Sequence, residues 1–352
     1  MIFENKRMLI SGGTGSLGNV LVRRLLTGEL GKPKKIIVFS RDEAKQHEMR
    51  MFYKQRAVAT DEVIYQNSKE LLEFRIGDVR DIHSISSVLK DVDIVFNAAA
   101  LKQVPTCEYF PFEAVQTNIG GVENIVRAIK EQHLPVETVI GISTDKACKP
   151  VNVMGMSKAI QERILIQANM NCPQTRFTCV RYGNVLASRG SVIPLFHEQI
   201  RTGGPITITT VEMTRFLLSL EDAVDVIFTA VREANSGETY VPLSPSAKII
   251  DLASLLIGKQ KIDIVITGIR PGEKAHEILI SEEECHRTIK RSNHYVIQPI
   301  LPELRLYPKE KPALEKEYSS ADNILDRNKL HALLVREKLS DPFNSKTEEL
   351  FQ

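Results

Sequence analysis

No run of about 18 apolar residues, the length a membrane-spanning helix needs, occurs anywhere in the 352-residue chain. The opening "MIFENKRMLISGG" has no apolar signal region and no small-residue cleavage site, and it enters a strand-like run within a few residues. A cytoplasmic protein with no membrane partner is the expectation. Net charge is equally scarce: 46 Lys and Arg stand against 44 Asp and Glu, a formal +2. No general field draws such a chain to nucleic acid, and its basic clusters read as local anion sites. Cysteine is sparse and odd in number. Cys107, Cys148, Cys172, Cys179 and Cys285 form no C-x-x-C pair, which argues against a disulfide frame or a zinc site. Cys148 is a nucleophile candidate by position only, since no partner histidine stands near it. No His/Asp/Glu cluster has ligand spacing, so no metal is expected. Internal repeats and low-complexity tracts are also missing.

What is present is ordinary for a globular protein: 43% hydrophobic and 26% charged residues, enough for one large domain or two smaller ones. Residues 7–13, 34–40, 73–78, 93–100, 137–144 and 177–185 read as strands. They are β-branched-rich and continuous rather than alternating, as strands buried on both faces should be. Helix-length segments such as 16–29, 110–131 and 152–170 lie between them. This repetition predicts an α/β fold with a parallel, doubly wound sheet. After about residue 190 the pattern breaks: a turn and short strand at 201–208, helices at 219–234 and 249–258, and a strand at 261–268. The expected division is a dinucleotide-binding domain over 1–190, with 216–240 returning to it. A smaller lobe spans 191–215 and 241–300, and a charged tail spans 301–352 with one helix at 326–338. The tail either folds back or packs on a neighbouring copy.

"LISGGTGSLGNVLVRRLL" sets Gly12, Gly15 and Gly18 between the first strand and a helix. Gly12 permits the tight turn, Gly15 admits a pyrophosphate to the backbone, and Gly18 lets the helix pack on the sheet. Ser16 and Leu17 begin that helix, whose free N–H groups and positive dipole end suit phosphates. The second strand ends at Ser40-Arg41, with Lys45 one turn on and no acidic residue at the tip. Donors and cations there suit a 2′-phosphate, which favours NADP over NAD. Asp42 complicates this, either pairing with Arg41 or facing solvent. In "GDVRD", Asp78 with Val79 is placed to meet the adenine.

With the glycine loop, "GDVRD", "NAAALKQVPTCE", "STDKA" and Lys158 in order, the chain resembles the extended short-chain dehydrogenase/reductases, whose fold is Rossmann-type. "STDKACKPVN", "RYGNVLASRGSVIP", "MTRF" and "RPGEKAHE" narrow the likeness to nucleotide-sugar 4,6-dehydratases of bacterial polysaccharide synthesis, over about residues 5–300. Where the superfamily has its tyrosine base, four residues before Lys158, stands Met154. Within the group that exchange marks the 5-inverting UDP-N-acetylglucosamine 4,6-dehydratases, which act in making UDP-N-acetyl-L-fucosamine for capsule or O-antigen.

The resemblance implies these roles. Asp145 protonates the leaving 6-hydroxyl, Lys146 removes the C5 proton, and Thr144 bonds the 4-hydroxyl. An Asp beside a Lys at a strand's C-terminal end suits acid–base work. Lys158 holds the nicotinamide ribose; the base for the 4-hydroxyl is left open between Lys158, Asp145 and a bound water. Met154 both packs and marks the missing base. Ala98 and the loop to Glu108 face the nicotinamide, and Lys102 approaches both cofactor and sugar. Arg189, Arg215 and Arg270 are candidates for the diphosphate. Asn184 bonds phosphate or sugar, and Glu273 takes ribose hydroxyls. His276 is a loop hydrogen-bonder or a ligand, and Asn118 a structural amide. A UDP-sugar substrate and a homo-oligomer, dimer or hexamer, through segments 110–131 and 152–170 complete the expectation. A UDP-sugar 4-epimerase and a non-catalytic NADP-binding protein are the alternatives, and intact Thr144, Asp145, Lys146 and Lys158 speak against the latter.

Overall fold

The computed structural model describes residues 1–55, 69–186, 191–305 and 311–343. The first half alternates strand and helix: β1 (Arg7–Ser11), α1 (Ser16–Thr27), β2 (Lys35–Ser40), α2 (Glu43–Gln55), β3 (Leu72–Ile76), α3 (Ile82–Leu89) and β4 (Ile94–Asn97). Short helices α4 (Val104–Tyr109) and α5 (Pro111–Ala114) lead through a π-helical turn (Val115–Gly120) into α6 (Gly121–Gln132). Then come β5 (Thr138–Thr144), α7 (Val153–Asn171) and β6 (Arg176–Tyr182). In β1, β2, β4, β5 and β6 consecutive residues are buried, with no one-faced alternation. Helices on both faces account for this. Leu21 and Val22 of α1 join one apolar layer, while Ile85, Ile125, Ile129 and Leu165 from α3, α6 and α7 build the other. β3, at the sheet's edge, keeps exposed residues.

The segment 110–131, read from sequence as helix-length, is helical from Pro111 to Gln132, with the π turn joining α5 to α6 and a break before it at Phe110. Pro105 and Pro111 each sit in a helix's first turn, where a missing N–H costs nothing. The π-turn carries Asn118, which is fully buried. Its amide donates to the Leu101 carbonyl at 2.9 Å and its Oδ1 accepts from the Leu101 N–H at 2.8 Å. Asn118 thereby fixes the loop after β4.

Beyond β6 lie β7 (Asn184–Val185), α8 (Val192–Arg201), β8 (Ile206–Ile208), β9 (Thr214–Leu218), α9 (Leu220–Glu233), β10 (Thr239–Pro242), β11 (Ser246–Lys248), α10 (Ile249–Ile257) and β12 (Ile264–Ile266). The chain continues through β13 (Ile278–Ile280), α11 (Glu282–Cys285), β14 (Thr288–Arg291), β15 (His294–Ile297), β16 (Tyr318–Ser319) and α12 (Arg327–Arg336). The main sheet has the order β14-β15-β10-β6-β5-β4-β1-β2-β3. It is parallel from β10 to β3, and β15 and β14 are added antiparallel. The sequence places 241–300 wholly in the lobe. The hairpin β14–β15 departs from that because β10 would otherwise be an open edge. The lobe itself joins β7, β9 and β11 in one small sheet and β8 with β12 in another. Its core includes Phe196, Ile206 and Leu252, and the tail adds Leu330, Leu334 and Leu339. The tail therefore folds back onto its own chain.

Candidate active site

Strand order reverses between β1 and β4, and the crevice beyond their C-terminal ends is where open α/β sheets bind ligands. Gly12 lies there with φ +69°, and a Cβ on it would stand 2.8 Å from the Ala99 nitrogen. Only glycine fits so close to the end of β4, where the Ala98 N–H donates to the Ser11 carbonyl at 3.1 Å. A Cβ on Gly18 would lie 2.4 Å from the Gly13 carbonyl oxygen, so α1 packs directly on its own loop. Gly15 is exposed and caps α1 without a side-chain hydrogen bond, and no acidic residue occupies the first turn of Ser16 and Leu17. The buried Asn97 Nδ2 nearby on β4 has no partner. Free donors, a glycine cradle and a helix dipole fit a dinucleotide's pyrophosphate.

At the tip of β2, the Ser40 hydroxyl accepts from Gln46 at 3.1 Å. Asp42 turns to Lys45 rather than Arg41: its carboxylate accepts from the Lys45 N–H at 3.0 Å and lies 2.9 Å from Lys45 Nζ. These bonds hold Asp42 below the usual carboxylate range. Arg41, about half exposed, lies 3.6 Å from Asp78. Asp78 in turn clasps Arg80 through Nε at 2.9 Å and Nη2 at 2.7 Å. Burial pushes Asp78 up, but Arg80 and Arg41 outweigh it and hold its carboxyl low. Val79 is buried beneath and packs where a Cβ on Gly121 would fall. Arg41 and Arg80 thus form a paired basic edge beside the crevice.

β5 delivers the acid–base candidates. Thr144 is its last residue and caps a single 3-10 turn, Asp145–Ala147. The Thr144 hydroxyl donates to Asp145 Oδ1 at 2.8 Å, and Lys146 Nζ donates to the same oxygen at 3.1 Å. Asp145 is fully buried, and its Oδ2 has no partner among the described residues. Gly183, just past β6, would bring a Cβ to 2.5 Å from the Phe216 Cβ, so glycine there lets β9 pack beside the Asp145 carboxyl. Lys146 Nζ also lies 3.4 Å from Glu277 Oε1. Burial pushes Lys146 down, but the charges of Asp145 and Glu277 outweigh this and raise it. Glu277 closes the motif "RPGEKAHE", is 2% exposed, and accepts a second cation, Arg215 Nε, at 3.6 Å.

α7 carries Met154 and Lys158. Asn152 caps it, accepting from the Gly155 N–H at 2.8 Å and donating to the Gly272 carbonyl at 2.8 Å. A Cβ on Gly155 would fall 2.2 Å from the Lys146 carbonyl oxygen, so α7 starts hard against the acid–base turn. Met154 is buried with Cys107 and Ala114, filling the gap under the short helices. Lys158 is buried, and its Nζ donates to the Ile142 carbonyl and to Gln161, each at 2.8 Å. Burial lowers it to about 8, against smaller upward pulls from Cys179 and Glu162.

The remaining candidates scatter. Arg215 is 8% exposed and donates to the Thr214 carbonyl at 2.7 Å, so it serves the Glu277 cluster rather than standing free. Arg270 is exposed on its turn. Glu273 accepts from Thr209 at 3.2 Å and from the Arg270 N–H at 3.4 Å. His276 Nδ1 lies 2.8 Å from Thr214 Oγ1, a loop hydrogen bond. Asn184 Oδ1 is buried without a partner. Lys102 is exposed on the loop after β4. Arg189 lies outside the described residues. Cys148 is 3% exposed and burial pushes its thiol up to about 12, which removes it as a nucleophile. Among the described residues no group of three His, Cys, Asp or Glu could hold a metal, and no helix is long and apolar enough to cross a membrane. Glu277 was not among the sequence candidates. Its signal was its place as the last residue of "RPGEKAHE", leading directly into the apolar run Ile278–Ile280.

The sequence matches the family described as "Polysaccharide biosynthesis protein" over residues 8–299. It is 46% identical over 301 residues to a UDP-glucose 4-epimerase of Rickettsia bellii, covering 84% of each chain. It is 42% identical over 301 residues to a UDP-N-acetylglucosamine 4,6-dehydratase (inverting) of Campylobacter jejuni, covering 85% of this chain and 84% of that one. The X-ray structure of Pen from Bacillus thuringiensis superposes with a TM-score of 0.85 at 33% identity, covering 96% of this chain and all of that one (100%).

Proposed function

The chain belongs to the polysaccharide biosynthesis protein family and to the nucleotide-sugar branch of the short-chain dehydrogenase/reductases, and on that premise we propose that it is a 5-inverting UDP-N-acetylglucosamine 4,6-dehydratase using NADP. The observation that carries this reading is the Asp145–Lys146 pair at the C-terminal end of β5. One member is a buried carboxyl with an unpartnered oxygen, the other a cation between two carboxylates. Nothing in 4-epimerisation, which acts at C4 alone, calls for such a pair at C5 and C6.

NADP, when bound, supplies the acceptor for the C4 hydride and its return at C6. Gly12, Gly15, Ser16, Leu17 and Gly18 would hold its pyrophosphate, Asp78, Val79 and Ala98 would border it, and Lys102 and Lys158 would meet its nicotinamide end. Thr144 hydrogen-bonds the 4-hydroxyl. Once C4 is a ketone, the C5 proton is acidic and Lys146 removes it while Asp145 protonates the departing 6-hydroxyl. Arg189 and Arg270 take the diphosphate, with Asn184 and Glu273 beside it. A cytoplasmic homo-oligomer belongs to the same reading. Tyr109, Phe110 and Phe112 are more than half exposed beside α6 and α7, an apolar face suited to a second copy.

Mass spectrometry of UDP-N-acetylglucosamine incubated with the protein in heavy water tests the reaction. Loss of one water with deuterium gained at C5 is expected, and NMR of the product reads the inversion. The Rickettsia relative favours a second reading, a UDP-sugar 4-epimerase. An unchanged mass with the galacto isomer appearing would select it.

Cofactor choice is tested separately. Lys45 pairs closely with Asp42 at 2.9 Å, whereas the half-exposed Arg41 is held more loosely, 3.6 Å from Asp78, and is the cation assigned to a 2′-phosphate. Arg41→Ala is expected to weaken NADP binding about ten- to a hundred-fold, the worth of a charge-assisted hydrogen bond, with NAD affinity unchanged. Equal loss for both dinucleotides, measured by titration calorimetry, would remove Arg41 from selectivity.

A further inference from the structure

Three charged groups from three separated stretches meet around Lys146: Asp145 from its own turn, Glu277 from the segment entering β13, and Arg215 from β9. Two carboxylates and two cations sum to zero. The other charged groups nearby face away, His276 to Thr214 and Lys274 to the Cys148 carbonyl. Glu277 reaches Lys146 with one oxygen and keeps the other, Oε2, buried and unpartnered. A 2%-exposed carboxylate is not placed between two cations for packing alone.

We propose that Glu277 is the positioning residue for the base: it anchors the Lys146 nitrogen and stabilises the ammonium that forms when the C5 proton is taken. This rests on the dehydratase reading. The resting pair holds one proton on Lys146. To act, Lys146 passes it to Asp145: an N–H bond breaks and an O–H bond forms on the carboxyl. The amine and the acid are then both in working form, and the cluster's charge is still zero. In the elimination the C5–H bond breaks and a new N–H bond forms. The Asp145 O–H breaks at the same time, and its proton leaves with the 6-hydroxyl as water. The resting protonation is restored with no proton drawn from solvent. Through this exchange Glu277 stays an anion, held by Arg215 and aimed at the nitrogen. Without that anchor the amine is free to turn from C5, and it is a weaker base. The logic matches other catalytic bases oriented by a third group.

The test is Glu277→Gln, which keeps the shape and removes the charge. Wild-type protein is first shown to release dehydrated UDP-sugar; if it does not, the dehydratase reading fails and this inference with it. Given wild-type activity, the variant is expected to lose about 100-fold in kcat with KM within about threefold. The alkaline limb of its kcat–pH profile is expected at lower pH, because the pair's shared proton leaves earlier once the anion is gone. Glu277→Asp, which keeps the charge, is expected to return the limb to its wild-type position even where rate is lost. A glutamine variant with an unmoved alkaline limb would overturn the proposal, whatever its rate. So would an aspartate variant whose limb shifts as far as the glutamine's.

Discussion

Asp145→Asn is expected to slow loss of water from the nucleotide sugar about a thousand-fold, within the span of general acid catalysis. Structural damage should be small. The amide fills the same volume, its oxygen can still accept from the Thr144 hydroxyl, now 2.8 Å away, and Lys146 keeps Glu277 at 3.4 Å. What disappears is the oxygen able to carry a proton, the buried and unpartnered Oδ2. Proton exchange at C5 should behave differently. Lys146 is still present, but it has lost the neighbour to which it passes its proton. Exchange should therefore continue and rise with pH, as the lysine comes to shed its proton to solvent. Heavy-water NMR of C5 beside mass spectrometry of the dehydrated product separates the two rates in one sample. Water loss within about tenfold of wild type would mean that another group protonates the leaving hydroxyl.

The contact between the candidate acid and base was readable because Asp145 and Lys146 are adjacent in sequence, and the glycines of the candidate phosphate loop are closely spaced. Local order carried the doubly wound fold in the same way, since continuous apolar strands between helices leave few other solutions. What sequence did not disclose depends on distant segments meeting. Glu277 lies 131 positions beyond Lys146, and nothing near it names its partner. Arg215 reads as a free diphosphate ligand until β9 sets it against Glu277. From sequence, Asp42 either pairs with Arg41 or faces solvent, and Asp78 is set toward the adenine. Only the geometry gives Lys45 to the first and Arg41 to the second. The helix over 110–131 was legible, with Pro111 in its first turn, but the π turn within it was not. Met154 was legible as a packing residue, whereas its partners Cys107 and Ala114 needed the short helices in place.

The largest effect on stability is expected at Arg181, which belongs to no catalytic list. It is 3% exposed and lies between Glu162 and Glu284, with donor distances of 2.6 Å and 2.7 Å. Glu162 also accepts from the Ser143 hydroxyl, one residue before Thr144. The network thus ties β5, α7 and β6 to α11 directly beneath the acid–base turn. Arg181→Met strips the buried Glu162 and Glu284 of their shared cation, leaving Glu284 with Arg287 at 3.4 Å, which costs about 3–5 kcal/mol. For a chain of this size that lowers the melting midpoint by about 4–7 °C. The pH dependence identifies the cause. Burial pushes Glu284 up, but Arg181 outweighs it and holds the carboxyl down to about 2, from 4.5 in the unfolded chain. Its contribution in the wild type is therefore complete above 4.5 and is lost as pH falls toward 2. In the variant the balance reverses: burial dominates, and protonation relieves the stranded charge. The stability gap between the two proteins should be widest near neutrality and narrow on acidification. Denaturant titrations at neutral pH and at the top of that acid range measure it. A gap independent of pH would assign the loss to packing of the arginine's stem rather than to its charge, and the turn that holds Asp145 and Lys146 would then not depend on the ion network beneath it.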